Sequence, residues 1–175
     1  VRLVLSGIDN PKIHLGNPLE LPPHDDPCFD LVLANPPLGG RESLPLDHFP
    51  IPSNNSEELF VQHALSNLCF GGRAILLLGD GFMFRSGSTK DVRKMLVENN
   101  TVEAIISLPP NSYLPFNIIA KNILVVRRGG STKKIRMIDT GPLFERIIGS
   151  KTPTISDRAI RSITKDLWSS EPSRN

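Results

Sequence analysis

The sequence predicts an α/β fold with a largely parallel sheet, and three observations predict it. Apolar runs such as Phe29–Ala34 and Arg73–Leu78 are short and largely unbroken, as expected of strands buried on both faces. Between such runs lie stretches whose apolar residues recur at helical spacing. Clusters of glycine and proline separate the two kinds of segment. Strands that alternate with helices form parallel sheets, and such sheets bind ligands at the carboxyl ends of their strands.

Taken in order, Val1 to Ser6 reads as the end of a helix closed by Gly7. Lys12 to Gly16 is a short strand candidate. Asp25-Asp26-Pro27 breaks the chain before the strand Phe29-Asp30-Leu31-Val32-Leu33-Ala34. Asn35-Pro36-Pro37 ends that strand abruptly, because a proline cannot donate to a sheet ladder. Residues 38–56 hold Gly39, Gly40, Pro45, Pro50 and Pro52 and read as a loop longer than a compact fold requires, a type associated with function or disorder. A helix is expected from Glu57 to Cys69, with Phe60, Ala64 and Leu68 on one face beside Val61 and Leu65, ended by Gly71-Gly72.

Arg73 to Leu78 is the next buried strand, stopped by Gly79-Asp80-Gly81. Ser88-Thr89-Lys90-Asp91 fits a capping box that opens a helix bearing Val92, Met95 and Leu96 on one face. Val102 to Leu108 and Asn122 to Arg128 are two further strands, joined by a proline-rich connection that holds Tyr113 and Phe116. Gly129-Gly130 is a turn, and Lys134 to Asp139 a further short strand. Ser156 to Leu167 places Ile160, Ile163 and Leu167 at helical spacing, and the tail after Trp168 is polar. There is no internal repeat.

At 175 residues, one domain or one domain with a short appendage is expected, divided as 1–130 and a basic extension, 131–175, with one helix. Hydrophobic residues make up 39%, which supports a real core and excludes a disordered chain. No apolar run approaches the roughly 20 residues of a membrane span, and no signal-peptide pattern opens the chain. Cys28 and Cys69 form neither a CxxC pair nor a metal-binding spacing, so no metal and a reduced, cytoplasmic setting are expected.

Charge is unevenly distributed. Residues 1–120 hold 8 basic and 13 acidic side chains, a balance of −5; residues 121–175 hold 12 and 5, a balance of +7. A basic segment after an acidic one is compatible with contact to nucleic-acid phosphates, and equally with a solvated surface. Arg127-Arg128 and Lys133-Lys134 read either as phosphate contacts or as guards against strand-edge pairing. Arg85 reads as a loop arginine with DNA in reach or as plain surface. Asp80 reads as a substrate contact or a turn cap, and His63 as a helix-face histidine rather than a catalytic base.

Asn35-Pro36-Pro37-Leu38 bears the most specific chemistry. Methylation of an exocyclic amino group on a purine faces a nitrogen whose lone pair is delocalised into the ring. Two acceptors on its hydrogens hold it in place and favour positive charge at nitrogen during attack. The Asn35 side-chain carbonyl supplies one acceptor and the Pro36 backbone carbonyl the other. The two prolines stiffen the turn, so both oxygens are prearranged. The fourth residue packs against the face of the base, and the methyl donor then needs a near in-line approach. A base inside a duplex cannot reach such a pocket and must be extruded, at a few kcal/mol.

With those residues in view, the chain resembles the catalytic domain of adenine-N6 DNA methyltransferases, specifically the methylation subunit of type I restriction–modification systems. The resemblance runs over residues 1–128. It includes Gly7-Ile8-Asp9-Asn10, Gly16-Asn17-Pro18-Leu19, Phe29 to Gly40, Phe60-Val61-Gln62-His63-Ala64-Leu65, Gly71-Gly72-Arg73-Ala74, Gly79-Asp80-Gly81 and Leu108-Pro109-Pro110. The resemblance implies a Rossmann-like, S-adenosylmethionine-dependent methyltransferase sheet. Asn35, Pro36, Pro37 and Leu38 would then bind and activate a flipped adenine. Asn17 matches the position that contacts the cofactor's adenine ring, with Leu19 and Asn35 in the same cofactor-facing set. Tyr113 and Phe116 lie in the connection that borders the flipped base. DNA and the specificity and restriction subunits of a type I complex are the implied partners.

Two features depart from the family pattern. Its fourth motif residue is aromatic, and here it is Leu38; losing a stack on the base costs roughly 1–3 kcal/mol. The cofactor loop, Asp/Glu-Pro-x-x-Gly-x-Gly, and the acidic residue that holds the cofactor ribose are absent from this sequence. The expectation is therefore the latter part of a methyltransferase domain, truncated on its N-terminal side. Its cofactor site would be incomplete, and apolar sheet edges would be exposed. The alternatives are a non-catalytic remnant that binds DNA or a partner, and an amino methyltransferase acting on RNA or protein.

Overall fold

The computed structural model describes residues 6–20, 29–43, 48–112, 120–145 and 153–168. Five strands form one sheet: β1 (Phe29–Ala34), β2 (Leu68–Gly79), β3 (Asn100–Leu108), β4 (Lys121–Arg128) and β5 (Arg136–Asp139), in the order β1-β2-β4-β3-β5. The pairs β1/β2 and β3/β5 are parallel, but β4 runs antiparallel to both neighbours. The sheet is therefore mixed rather than largely parallel. β4 follows β3 in sequence and pairs directly beside it in the opposite direction. A two-stranded ribbon, β6 (Phe144–Glu145) and β7 (Thr154–Ile155), follows.

Helices α1 (Ser56–Ser66) and α2 (Ser88–Asn99) pack on one face of the sheet. Side chains alternate across a strand, so Ala74, Leu76 and Leu78 of β2 share that face with their β4 partners Val126 and Leu124. They meet Val61, Ala64 and Leu65 of α1 and Val92 and Leu96 of α2 in the main core. Burying each such leucine contributes about 1.5–3 kcal/mol. The opposite face is more open. Helix α3 (Asp157–Trp168) is tied to it by its C-terminal end: Arg136 donates to the Asp166 and Leu167 carbonyls, and Trp168 lies 4.8 Å from the Arg73 guanidinium. Beside them Glu103 bridges Arg73 and Arg127. The hydrogen bond to Glu103 raises the Arg73 pKa above its ordinary value.

β1 ends the sheet on one side. Phe29, Leu31 and Leu33 are 47%, 53% and 68% exposed on its open face. Half-buried Val32 and Ala34 point the other way and pack against the main core.

Several boundaries differ from the sequence reading. Helix α1 ends at Ser66, not Cys69, because Asn67 turns back: its side chain donates to the His63 carbonyl at 2.8 Å. Gly71-Gly72 consequently falls inside β2 rather than ending a helix. There the β1/β2 register shifts between Phe29/Leu68 and Leu31/Arg73. Gly71 adopts φ +85°, and a Cβ on Gly72 would sit 3.0 Å from the Phe29 carbonyl oxygen. A side chain there would crowd backbone carbonyls, which favours glycine.

Ser88 is the first residue of α2 and not its cap. The cap is Gly87 at φ +71°, with no side-chain capping bond, so the capping box does not form. Lys12 to Leu15 is not a strand. Ile13 and Leu15 are exposed, and among the described residues no strand lies beside them to supply a ladder. The helix expected over 1–6 falls almost entirely outside the described residues, as do Tyr113, Phe116 and Cys28. No described helix is long and apolar enough to cross a membrane, and no three metal-ligating side chains converge among the described residues.

Candidate functional site

The topology brings the carboxyl ends of β1, β2, β3 and β5 and the start of β4 to one rim of the sheet. Gly79 and Leu108 both stand opposite Lys121 there. Asn35-Pro36-Pro37-Leu38 leaves β1 at this rim, where strand periodicity and the two prolines placed it. Asn35 and Pro37 are exposed, Pro36 is buried and Leu38 is half-buried. The buried proline anchors the turn while the asparagine stays at the surface.

The loop after the tetrapeptide is fastened at both ends. Gly40 accepts from the Ser56 N–H at 3.1 Å, Glu42 N–H donates to Asn54 at 2.8 Å, and Arg41 bridges to Asn55. A Cβ on Gly40 would meet Ser56 Oγ at 2.5 Å, which is why glycine stands there. Asn55 then caps α1, its side chain accepting from the Glu57 and Glu58 N–H groups at 2.9 and 3.4 Å. Such a cap is worth about 1 kcal/mol. The long loop is thus bound to the helix that follows it.

Two buried carboxylates in the first turn of α1 organise the rim. Glu57 accepts the Gly79 N–H at 2.6 Å through Oε1, and its Oε2 lies 4.0 Å from Arg85. A Cβ on Gly79 would sit 3.2 Å from Glu57 Oε1 and 3.7 Å from Leu38 Cδ2. Leu38 therefore lies beside the tip of β2. Glu58 accepts from Ser53 at 2.6 Å and from Thr89, tying α1 to α2. Both carboxylates sit at a helix N-terminus, where the dipole favours negative charge. Lys121 is 2% exposed; burial pushes its pKa down and the Glu57 carboxylate opposes that shift.

Asp80 is exposed on the turn after β2. Its Oδ1 accepts from Asn122 at 3.1 Å, and Asn122 accepts from Ser107 at 2.8 Å. This chain of three side chains runs along the tips of β2, β4 and β3. Sequence reasoning saw the turn but not the Asn122 and Ser107 contacts, which span 42 and 15 residues.

Asn17 meets the loop after the tetrapeptide at Glu42. Its Oδ1 accepts the Leu19 N–H at 3.1 Å and its Nδ2 donates to Glu42 at 3.4 Å. Leu19 is fully buried against Phe49 and Leu59. Its side chain anchors the Asn17 turn in the core.

The basic pairs, read either as phosphate contacts or as edge guards, stand elsewhere. β4 is antiparallel, so Arg127 and Arg128 lie at the opposite end of the sheet from Asn35. Arg127 is paired with Glu103, and Arg128 donates to the Leu68 carbonyl. Lys133 and Lys134 are exposed but follow Thr132, which is hydrogen-bonded to Val102 and Asn100 at that same far end. An apolar cleft of about 380 Å³ between α2 and the β3–β5 side reaches the rim at Asp80; Asn35 does not line it.

Comparisons with known proteins fit this geometry. The chain matches the model of the N-6 DNA Methylase family over residues 1–174. It is 33% identical over 138 residues to the type I restriction enzyme EcoEI methylase subunit of Escherichia coli, covering 76% of this chain and 28% of that protein. A chain from a structural study of the assembly and conformational transition of the type I R-M system superposes with a TM-score of 0.78 at 29% identity, covering 93% of this chain and 34% of its own. The modification subunit of a putative type I restriction enzyme from Vibrio vulnificus YJ016 shares the fold, with a TM-score of 0.82 at 24% identity over 99% of this chain and 39% of that one. The chain thus spans well under half the length of the relatives it resembles.

Proposed function

This chain belongs to the N-6 DNA methylase family, and from that premise we propose that it forms the amino-group-binding part of an adenine-N6 DNA methyltransferase of a type I restriction–modification system. One observation supports the reading above the others: an exposed Asn35 followed by a buried Pro36 at the carboxyl end of β1. There Asn35 Oδ1 and the Pro36 carbonyl accept the two N6 hydrogens of a flipped adenine and orient its lone pair outward. Pro37 stiffens the turn. Leu38, against Gly79, gives one apolar wall to the base. Tyr113 and Phe116 are proposed for the other wall.

S-adenosylmethionine is the proposed methyl donor and supplies the electrophilic methyl group. Asn17, Leu19 and Asn35 are the cofactor-facing residues proposed within this chain, with the rest of the site assigned to the whole protein. DNA and the specificity and restriction subunits are the proposed partners, in line with the names of the relatives.

The test is methyl transfer by the full-length protein with its partner subunits, from labelled S-adenosylmethionine to duplex DNA, RNA and protein in parallel. Label on adenine N6 of DNA is the expected outcome. Label on RNA or protein with none on DNA overturns the substrate. For the 175-residue chain alone, titration calorimetry is expected to show no micromolar binding of S-adenosylmethionine.

A further inference from the structure

The basic pairs Arg127-Arg128 and Lys133-Lys134 stand at the end of the sheet opposite Asn35. We propose that Arg85 is a phosphate-binding residue for the DNA strand that bears the target nucleotide. Three observations converge on it. Its guanidinium lies across Gly81, where a Cβ would fall 2.7 Å from Nε and 2.8 Å from Cζ and Nη2. Its side chain is 51% exposed, yet Nη1 stands 4.0 Å from Glu57 Oε2, which is 4% exposed and itself anchored through Oε1 to the tip of β2. Its backbone is held on both sides: the Arg85 N–H donates to Gly81 at 3.0 Å, and its carbonyl accepts from Arg93 at 2.8 Å.

A long, half-exposed ion pair adds little to stability, so fold maintenance does not account for this arrangement. Its effect is to hold a cation in place while presenting it to solvent. A guanidinium so held suits the two oxygens of a phosphodiester. Neighbouring strands lie about 4.8 Å apart, and each DNA strand carries one phosphate per about 3.4 Å. A nucleotide seated at the β1 tip therefore brings its phosphates within reach of a residue anchored at the β2 tip. Asp80, on the same turn, bears the opposite charge and accepts from Asn122. Lys121 is buried beside Glu57 and is not presented. The same guanidinium suits a carboxylate, such as that of the cofactor's methionyl end, and the experiment separates the two.

The inference rests on the DNA substrate proposed above, and its test does not need turnover. The full-length protein with its partner subunits is titrated with a fluorescein-labelled random-sequence duplex at several salt concentrations. Arg85→Gln is expected to weaken binding about fivefold and to lower the slope of log K against log salt by about 0.9, the loss of one phosphate contact. Arg85→Lys should keep the slope. Gly81→Ala provides a second route: its φ is not positive, so the backbone accepts alanine, but the added Cβ displaces the guanidinium without removing its charge. It should weaken duplex binding in the same direction, with thermal unfolding unchanged. An unchanged slope in Arg85→Gln overturns the proposal, as does a drop in S-adenosylmethionine affinity with duplex binding intact. Absence of DNA methylation by the wild type, with the slope change present, instead sinks the enzymatic reading and leaves Arg85 as a DNA contact.

Discussion

The two ends of the sheet hold similar residue types and use them differently. At the far end stand Arg127, Arg128, Lys133 and Lys134, the densest basic cluster in the chain. Two of these four are engaged internally, by Glu103 and by the carbonyl of Leu68. At the rim, Lys121 is buried and Arg85 is anchored and exposed. The comparison teaches that charge counted along a chain does not locate an interface. Strand direction does, and one antiparallel strand, β4, is enough to carry a basic pair to the end opposite Asn35.

The largest expected effect breaks the comparison at the rim. Asn35→Ala in the full-length enzyme should lower kcat for DNA methylation by about 10²–10³, the cost of one prearranged acceptor, with circular dichroism unchanged. Arg128→Ala at the far end should leave kcat alone. Equal losses in the two variants would mean that the ends are not functionally distinct. Next is Gly72→Ala, at the β1/β2 register shift. The added Cβ meets backbone carbonyls at 3.0–3.1 Å, so about 1–3 kcal/mol of stability should be lost, read as a lower urea midpoint. The Arg85→Gln effect on duplex binding is smaller and confined to the rim.

Smaller again is Arg127→Ala. Its bond to Glu103 is 3.2 Å long and the side chain is 36% exposed, so solvent screening holds the loss below about 1 kcal/mol. The smallest is Lys133→Gln with Lys134→Gln, which should leave the salt slope of duplex binding unchanged. A slope that falls by about two contacts would return the basic cluster to the DNA interface.

Much of the fold was legible because it depends on local pattern. The largely apolar run of β1, the two prolines after it, and the helical spacing of Val61, Ala64 and Leu65 each follow from backbone chemistry within a few residues. Boundaries failed where a distant partner decided them. Gly71-Gly72 looks like a helix stop, but Phe29 and Asp30 approach it from across the sheet and make it a bulge. Ser88 looks like a cap, but Gly87 has already turned the chain. Lys12 to Leu15 has strand composition but no ladder partner among the described residues. In the candidate site, the place of Asn35 was legible, since a strand end is written in sequence. The Glu57–Gly79 bond was not, because 22 residues separate its partners.

By itself, the sequence determined the α/β class, the extent of β1 and the position of Asn35-Pro36-Pro37 at its end, since periodicity and proline sterics act over neighbouring residues. Only the tertiary structure decided which end of the sheet each charge occupies, which carboxylate holds the β2 tip, and that Leu19 is core. Those outcomes depend on strand direction and on burial. Both are set by contacts between residues far apart in the chain, where a composition or a spacing carries no information about direction.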